Sequence, residues 1–517
     1  MYTGERAAPT ALRRALPRPW TRAISRPAKT TEDLPMRCRF PLALLLATAL
    51  PVAGLAQSLR DDPRVQQALN LLDLWLDAAR DYEHIPGISA GVVYDQELLW
   101  SKGYGYQDRE TRAVPTAQTI YSICSISKLF TSIAVMQLRD QGKLRLDDSV
   151  SHHLPWFAIK QAFPDGPPIT IEGLLTHASG LPREADWPYW TGPDFTFPTR
   201  EQVIQLLANQ QTLYPAETYF QYSNLGLTLA GEVVQQVSGQ PYAEYVQQHI
   251  LGPLGLASTT PEIPLDERGR RLATGYSALA RDGTRKALPL FQARGIAPAA
   301  GFASTVEDLA RFASWQFRVL SGARSDVLAG NTLKEMQRVH WMDPDWRTTW
   351  GLGFSIWRSK DKTFVGHGGS CPGYRTQLSL QTDDKIATIF LANALGVSPQ
   401  PFTMRMYEIV SPALAAAKKA PGAGKAPPPD FAKYYGTYAQ SFGGESAVIP
   451  WEDGLAMVAF PTDDPLEALT KLRYAGGDTF RRVRDDGQLA EEIVFETNAR
   501  GEVTRFKRNS NYAIKVR

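Results

Sequence analysis

The chain has 517 residues, 43% hydrophobic and 21% charged, which is enough to bury a sizeable core and to fill two or three domains. Its net charge of +3 is a local effect: residues 1–56 hold nine Lys/Arg against three Asp/Glu, leaving 47 against 50 in the rest. A body with that balance offers no basic face to a nucleic acid, and no stretch of it is apolar for long enough to span a bilayer.

In chain order, residues 1–35 are rich in Arg, Pro and Ala and read as an upstream extension. Residues 36–56 read as a signal peptide: Arg37 and Arg39, an apolar Phe40–Leu50, then Gly54-Leu55-Ala56 as a small-x-small cleavage site before Gln57. Export to a periplasm or secretion is the expectation. An organelle transit peptide fits less well, given Glu32 and Asp33. Pro63–Ala79 carries a helical apolar stripe, and Ile88–Tyr94 and Glu97–Tyr104 pattern as a hairpin around Asp95-Gln96. Leu129 to Leu138 repeats apolar residues at three- and four-residue steps, a helix entering a core. Asp147 to Ala300 is loop-rich and helical, as in Thr199–Asn209 and Leu227–Ser238. Val306–Leu320 is a further helix, Gly353–Arg358, Thr363–Gly366, Gln377–Gln381 and Ile386–Ala392 are strand candidates, and Met404–Ala417 is a closing helix. Residues 57–418 thus form one domain, 419–429 a Pro/Gly linker, and 430–517 a β domain of short alternating runs spaced for a small barrel or sandwich.

Three motifs carry the chemistry. Ser125-Ile126-Ser127-Lys128 puts a lysine one helical turn from a serine. A serine hydroxyl needs a base within hydrogen-bond reach, and a lysine serves only if burial or a cation lowers its pKa. Alone, the pattern equally describes a serine cap beside a solvated lysine. About a hundred residues on comes Tyr222-Ser223-Asn224, and further on His367-Gly368-Gly369-Ser370 between two strand-like runs.

From about Val65 to Leu414, this order resembles the penicillin-recognising serine hydrolases, and within them the branch of class C β-lactamases, D-aminopeptidases and family VIII esterases (peptidase family S12). Gly142–Asp148, Leu174–Pro182, Gly301–Thr305 and Trp350–Gly353 fit the same pattern. The resemblance implies an α+β fold, an antiparallel sheet flanked by helices with an inserted helical subdomain, and a C-terminal domain like the lipocalin-like appendages of some members. It implies that Ser125 is the nucleophile of an acyl-enzyme and that Lys128 and Tyr222 share the proton work, with either one the resting base; polar and cationic neighbours would hold the phenol partly ionised. Asn224 would bind the substrate carbonyl and hold Lys128. The backbone N–H groups of Ser125 and Ser370 would form an oxyanion hole, with Gly369 letting a ligand lie close.

His367 departs from the lysine of β-lactamases and most penicillin-binding proteins, which disfavours a substrate carboxylate there and favours esters or peptide-like amides. The expected partner is therefore a small ester or peptide, with the oligomeric state open. A β-lactamase or DD-carboxypeptidase is one alternative, and a non-catalytic cell-wall peptide-binding protein another. His177, in the Leu174–Pro182 signature, reads as a structural hydrogen-bonder, and His152-His153 as a surface pair. Trp187-Pro188-Tyr189-Trp190 either lines an acyl pocket or pins its loop. A Gly-x-Ser-x-Gly elbow, a His-Glu-x-x-His and paired Cys motifs are missing, so no metal or cofactor is expected. Beyond residue 56 the cysteines are Cys124 and Cys371, each next to an implied oxyanion-hole residue. Some class A carbapenemases bridge similar positions, which implies a disulfide here; two buried free thiols are the alternative.

Overall fold

A computed structural model of the chain describes residues 59–517; the extension and signal-peptide readings lie outside the described residues. Helix α1 (Pro63–Tyr82) starts where Asp62 accepts from the Arg64 N–H and Pro63 supplies a pre-set φ. It buries Val65, Leu69, Leu72, Trp75 and Leu76 along one stripe.

Strands β1 (Gly87–Tyr94) and β2 (Glu97–Gly105) form the first hairpin. Tyr121–Ser122 (β3) and Ala303–Ser304 (β4) pair separately. The main sheet is completed late in the chain by β5 (Trp341–Met342), β6 (Thr349–Trp350), β7 (Ser355–Ser359), β8 (Lys362–Cys371), β9 (Tyr374–Gln381) and β10 (Ile386–Ala392). Its order is β2-β1-β10-β9-β8-β7-β6-β5, antiparallel throughout, with β1 and β10 in register from Ile88↔Ala392 to Tyr94↔Ile386. Strands from the two ends of the domain therefore zip together, and the helical segment between them sits as an insert.

Alternation along the central strands feeds two cores. Val93, Ile389 and Leu391 face the core built by α2 (Ser127–Asp140), α3 (Ile171–Thr176), α4 (Asn224–Ser238) and α5 (Val306–Leu320). Ile88, Ala90, Val92 and Phe390 face α1 and the closing helix α6 (Pro399–Lys419). β1 is accordingly buried on both faces from Gly87 to Val93, Ser89 being its one polar side chain in that stretch.

A closed barrel follows: β11 (Gly436–Gln440), β12 (Glu445–Trp451), β13 (Gly454–Phe460), β14 (Leu469–Gly476), β15 (Thr479–Val483), β16 (Leu489–Thr497), β17 (Val503–Arg508) and β18 (Asn511–Lys515). The last strand, β18, buries only Ala513 and therefore carries almost no apolar pattern. Tyr434, Tyr438, Phe480, Phe495 and Phe506 pack the interior ring on ring. The Pro/Gly segment is a strap, not a free tether: Arg64 Nη2 donates to Ala420 O at 2.7 Å and Gln67 Nε2 to Lys425 O at 3.1 Å.

Candidate active site

The three motifs converge where α2, α4 and β8 meet. Cys124 takes a left-handed φ of 51° and opens a 3-10 turn, Cys124–Ile126, which places Ser125 just ahead of α2. A disulfide joins Cys124 to Cys371 with 5.7 Å between their Cα atoms. Gly369 lies under the same turn, where a Cβ would sit 2.3 Å from Ile123 O and 2.2 Å from Thr376 Oγ1. Only glycine admits that approach.

The His-Gly-Gly-Ser motif lies within β8, not between two strands. Pairing with β7 stops at Gly366, so one side of β8 is open from His367 onward. The two-residue turn Pro372-Gly373 makes Cys371 and Tyr374 its closing pair, and backbone direction alternates along a strand. Ser370 therefore turns its N–H away from β9 and toward the cleft.

Lys128 is fully buried. Its Nζ lies 3.1 Å from Ser125 Oγ, 2.7 Å from Asn224 Oδ1 and 2.8 Å from Ala299 O. Burial holds the amine well below its usual range; the Glu184 carboxylate opposes this and Arg183 assists it. A neutral amine has two protons and one lone pair. In that form the two carbonyl oxygens would take the protons, and the lone pair would face the Ser125 hydroxyl.

Tyr222 also reaches the Ser125 side chain, but burial pushes its phenol up, so the partly ionised phenol expected from sequence gives way to a neutral one. Lys128 Nζ lies 4.9 Å and the Arg183 guanidinium carbon 4.8 Å from the ring centroid, too little to offset that desolvation. His177 packs against the ring at 4.2 Å, and its Nδ1 accepts from the Ser223 N–H at 3.1 Å. The Leu174–Pro182 signature thus cradles the start of α4: Gln221 N donates to His177 O, and Ser223 Oγ to Pro182 O. The Trp350–Gly353 signature closes the other side, with Trp350 against His177 and Tyr222.

His367 is 4% exposed, and burial, helped by Lys128, pushes it down to about 3. The neutral ring donates from Nδ1 to Gly368 O at 2.6 Å, and Nε2 has no protein partner. The ring therefore brings no charge to the cleft it lines, and its Nε2 is buried and unpartnered. His152 and His153 meet edge to face, and His153 meets Asp148 away from the cleft.

The cleft holds about 790 Å³. Trp190 and Phe195 form an aromatic wall, whereas Tyr189 is buried beneath it and Trp187 is tied to Thr196 O. Sequence reasoning missed Arg183, Glu184, Phe195 and Arg375 as lining residues. Arg183 and Glu184 directly follow Pro182, so the end of that signature was a usable signal. Among the described residues no group of three or more His, Cys, Asp or Glu is arranged to hold a metal ion.

A Ser-x-x-Lys pair with its lysine buried, beneath a Tyr-x-Asn and a glycine-rich strand edge, defines the class: a mixed helix and sheet fold of the kind shared by β-lactamases and penicillin-binding proteins. The chain belongs to the Beta-lactamase family, whose model matches residues 72–409. "Beta-lactamase-like protein 2" of Dictyostelium discoideum is 28% identical over 358 residues, covering 68% of this chain and 64% of its own length. "Protein flp" of Staphylococcus aureus (strain MW2) is 33% identical over 180 residues, 34% of this chain and 35% of its own. The chain thus spans less than two thirds of these curated relatives. Among solved structures, the octameric penicillin-binding protein homologue from Pyrococcus abyssi superposes with a TM-score of 0.59 at 24% identity, covering 86% of this chain and all of that one. A D-stereospecific amidohydrolase from Streptomyces sp. gives 0.54 at 22%, covering 65% and 97%.

Proposed function

We propose that the protein is an exported serine hydrolase that works through an acyl-enzyme on an ester or a peptide-like amide. The observation that carries this reading is the Lys128 amine, fully buried, with its Nζ 3.1 Å from Ser125 Oγ and within 2.8 Å of two carbonyl oxygens, those of Asn224 and Ala299. Lys128 takes the Ser125 proton as the oxygen attacks the substrate carbonyl carbon. The N–H groups of Ser125 and Ser370 receive the developing oxyanion. Tyr222, neutral and in reach of Ser125, passes its proton to the leaving group as the bond to the acyl carbon breaks, and recovers one from Lys128, which returns both to their starting states. Water then attacks the acyl carbon and gives one proton to Lys128, and Ser125 Oγ takes that proton back as its bond to the acyl group breaks.

The neutral His367 supports esters and amides without a carboxylate at that point, and the aromatic wall suits an apolar acyl group. The likeness to a D-stereospecific amidohydrolase is consistent with amide substrates. Export draws its support from the residue 36–56 pattern and from a disulfide, which an oxidising compartment maintains. The test incubates protein starting at Gln57 with p-nitrophenyl esters, D-alanyl p-nitroanilide and nitrocefin, beside Ser125→Ala. Ester or anilide turnover lost in the variant is expected. Turnover confined to nitrocefin would make it a β-lactamase, and inertness to all three with retained muropeptide binding would make it a binding protein.

A further inference from the structure

Arg183 and Glu184 are clamped to the first turn of α4. The Arg183 carbonyl accepts from Asn224 N at 2.7 Å and Leu225 N at 3.2 Å, and Gln210 Nε2 donates to the Glu184 carbonyl at 2.9 Å. With its backbone fixed, Glu184 turns its carboxylate onto Asn224, whose Nδ2 lies 2.9 and 3.0 Å from the two oxygens. The Tyr189 hydroxyl donates to Oε2, and Arg183 Nε lies 3.2 Å from Oε1. Three donors therefore converge on one carboxylate.

The consequence falls on the other end of the amide. An ionised carboxylate only accepts, so Asn224 must present Nδ2 to it and Oδ1 to Lys128. The flipped amide would set Oδ1 against the carboxylate, losing that bond, and would aim Nδ2 at the lysine amine, where it would compete for the lone pair that Ser125 needs. We propose that Glu184 is a positioning residue: it fixes the Asn224 amide in one orientation and, through it, directs the Lys128 lone pair at Ser125. This rests on the reading of Ser125 as nucleophile and Lys128 as base. Glu184 adds a second effect. Lys128 is faced by Arg183, Tyr222, His177 and His367, and the carboxylate whose field reaches it is that of Glu184.

The test reads the rate at which a fluorophosphonate modifies Ser125 as a function of pH, with the adduct located by peptide mass. It needs no knowledge of the substrate. Glu184→Gln, close to the same shape, should slow labelling on the alkaline plateau about tenfold, the scale of one charge-assisted hydrogen bond. It should also move the acid limb to lower pH, because Lys128 loses the charge that favours its protonation; a merely structural role would not move that limb. Glu184→Asp, which keeps the charge but withdraws the oxygens, should lower the plateau and leave the limb in place. In an Asn224→Ala background, Glu184→Gln should cost nothing further on the plateau, since no amide remains to be held. An unchanged plateau in Glu184→Gln, or an equal loss in both backgrounds, overturns the proposal while Ser125 is still labelled. Absence of label on Ser125 in the unmodified chain overturns the nucleophile reading instead.

Discussion

Cys124 and Cys371 are bonded to each other, and each is the immediate sequence neighbour of a residue whose N–H belongs at the cleft, Ser125 and Ser370. The bridge fastens the nucleophile turn to β8 across 247 residues of chain. In the chain-entropy model, closing so long a loop stabilises by about 5 kcal/mol as an upper bound. Denatured, unreduced protein starting at Gln57 should show no free thiol. Cys124→Ser with Cys371→Ser should lower the melting temperature and, below it, reduce turnover more than substrate affinity, because the N–H pair loosens. Two free thiols in the unreduced protein would sink this.

If Ser125, Lys128 and Tyr222 share the chemistry as proposed, removing one member should disable the others. Ser125→Ala should abolish turnover. Lys128→Ala and Tyr222→Phe should each slow it by about a thousandfold or more. With the phenol pushed up and the amine held down, the acid limb of kcat/KM should vanish from its wild-type position in Lys128→Ala and persist in Tyr222→Phe. A limb that instead follows Tyr222 would make the phenol the base.

His367 yields a prediction about stability as well as specificity. Its folded-state pKa of about 3 lies below the ordinary 6.5. Below about pH 6.5 the unfolded chain takes up a proton that the folded ring refuses, so stability is lost as pH falls from about 6.5 toward 3. Each such histidine contributes about 1.4 kcal/mol per pH unit inside that window, and buried His177 adds to the slope in the same direction. His367→Gln should flatten the urea-midpoint profile between pH 6 and 4 by roughly one such contribution. His367→Lys should raise kcat/KM for carboxylate-bearing substrates at the expense of neutral esters. An unchanged ratio of the two activities would show that this position does not read charge.

Much of this architecture was legible because local pattern and tertiary role agree. Val306–Leu320 was readable to the residue: Thr305 caps it, Glu307 and Asp308 occupy its first turn, and one face is apolar. The spacing of Ser125, Lys128, Tyr222 and Asn224 pointed to the side chains that the fold brings together. What stayed hidden depends on long-range geometry. The ionisation of Tyr222 depends on how much protein covers it, and β18 is defined only by its partners β11 and β17. Nothing local reveals that Ala299 lends a carbonyl to Lys128 across 171 residues, or that Glu184 faces Asn224.

The last prediction concerns the barrel, which composition alone separates from the hydrolase domain by a linker. Its outer residues Ala447, Ile449, Ala456, Val458 and Phe460 share one core with Val65, Leu72 and Leu76 of α1 and with Phe402 and Met406 of α6. Trp75 Nε1 donates to Thr462 O at 3.0 Å, and Arg405 ion-pairs with Asp464. The helices that cover β1 and β10 are thus themselves covered by the barrel. A chain ending at Pro429 would expose that apolar stripe to water, and we expect it to aggregate or melt well below the full protein. Phe460→Ala, which leaves the barrel interior untouched, should cost about 3–4 kcal/mol. Heating should show one cooperative transition followed alike by tryptophan fluorescence and by loss of activity, and Phe460→Ala should lower both together. Two separate transitions, with the catalytic one unmoved by Phe460→Ala, would show that the barrel is only an appendage.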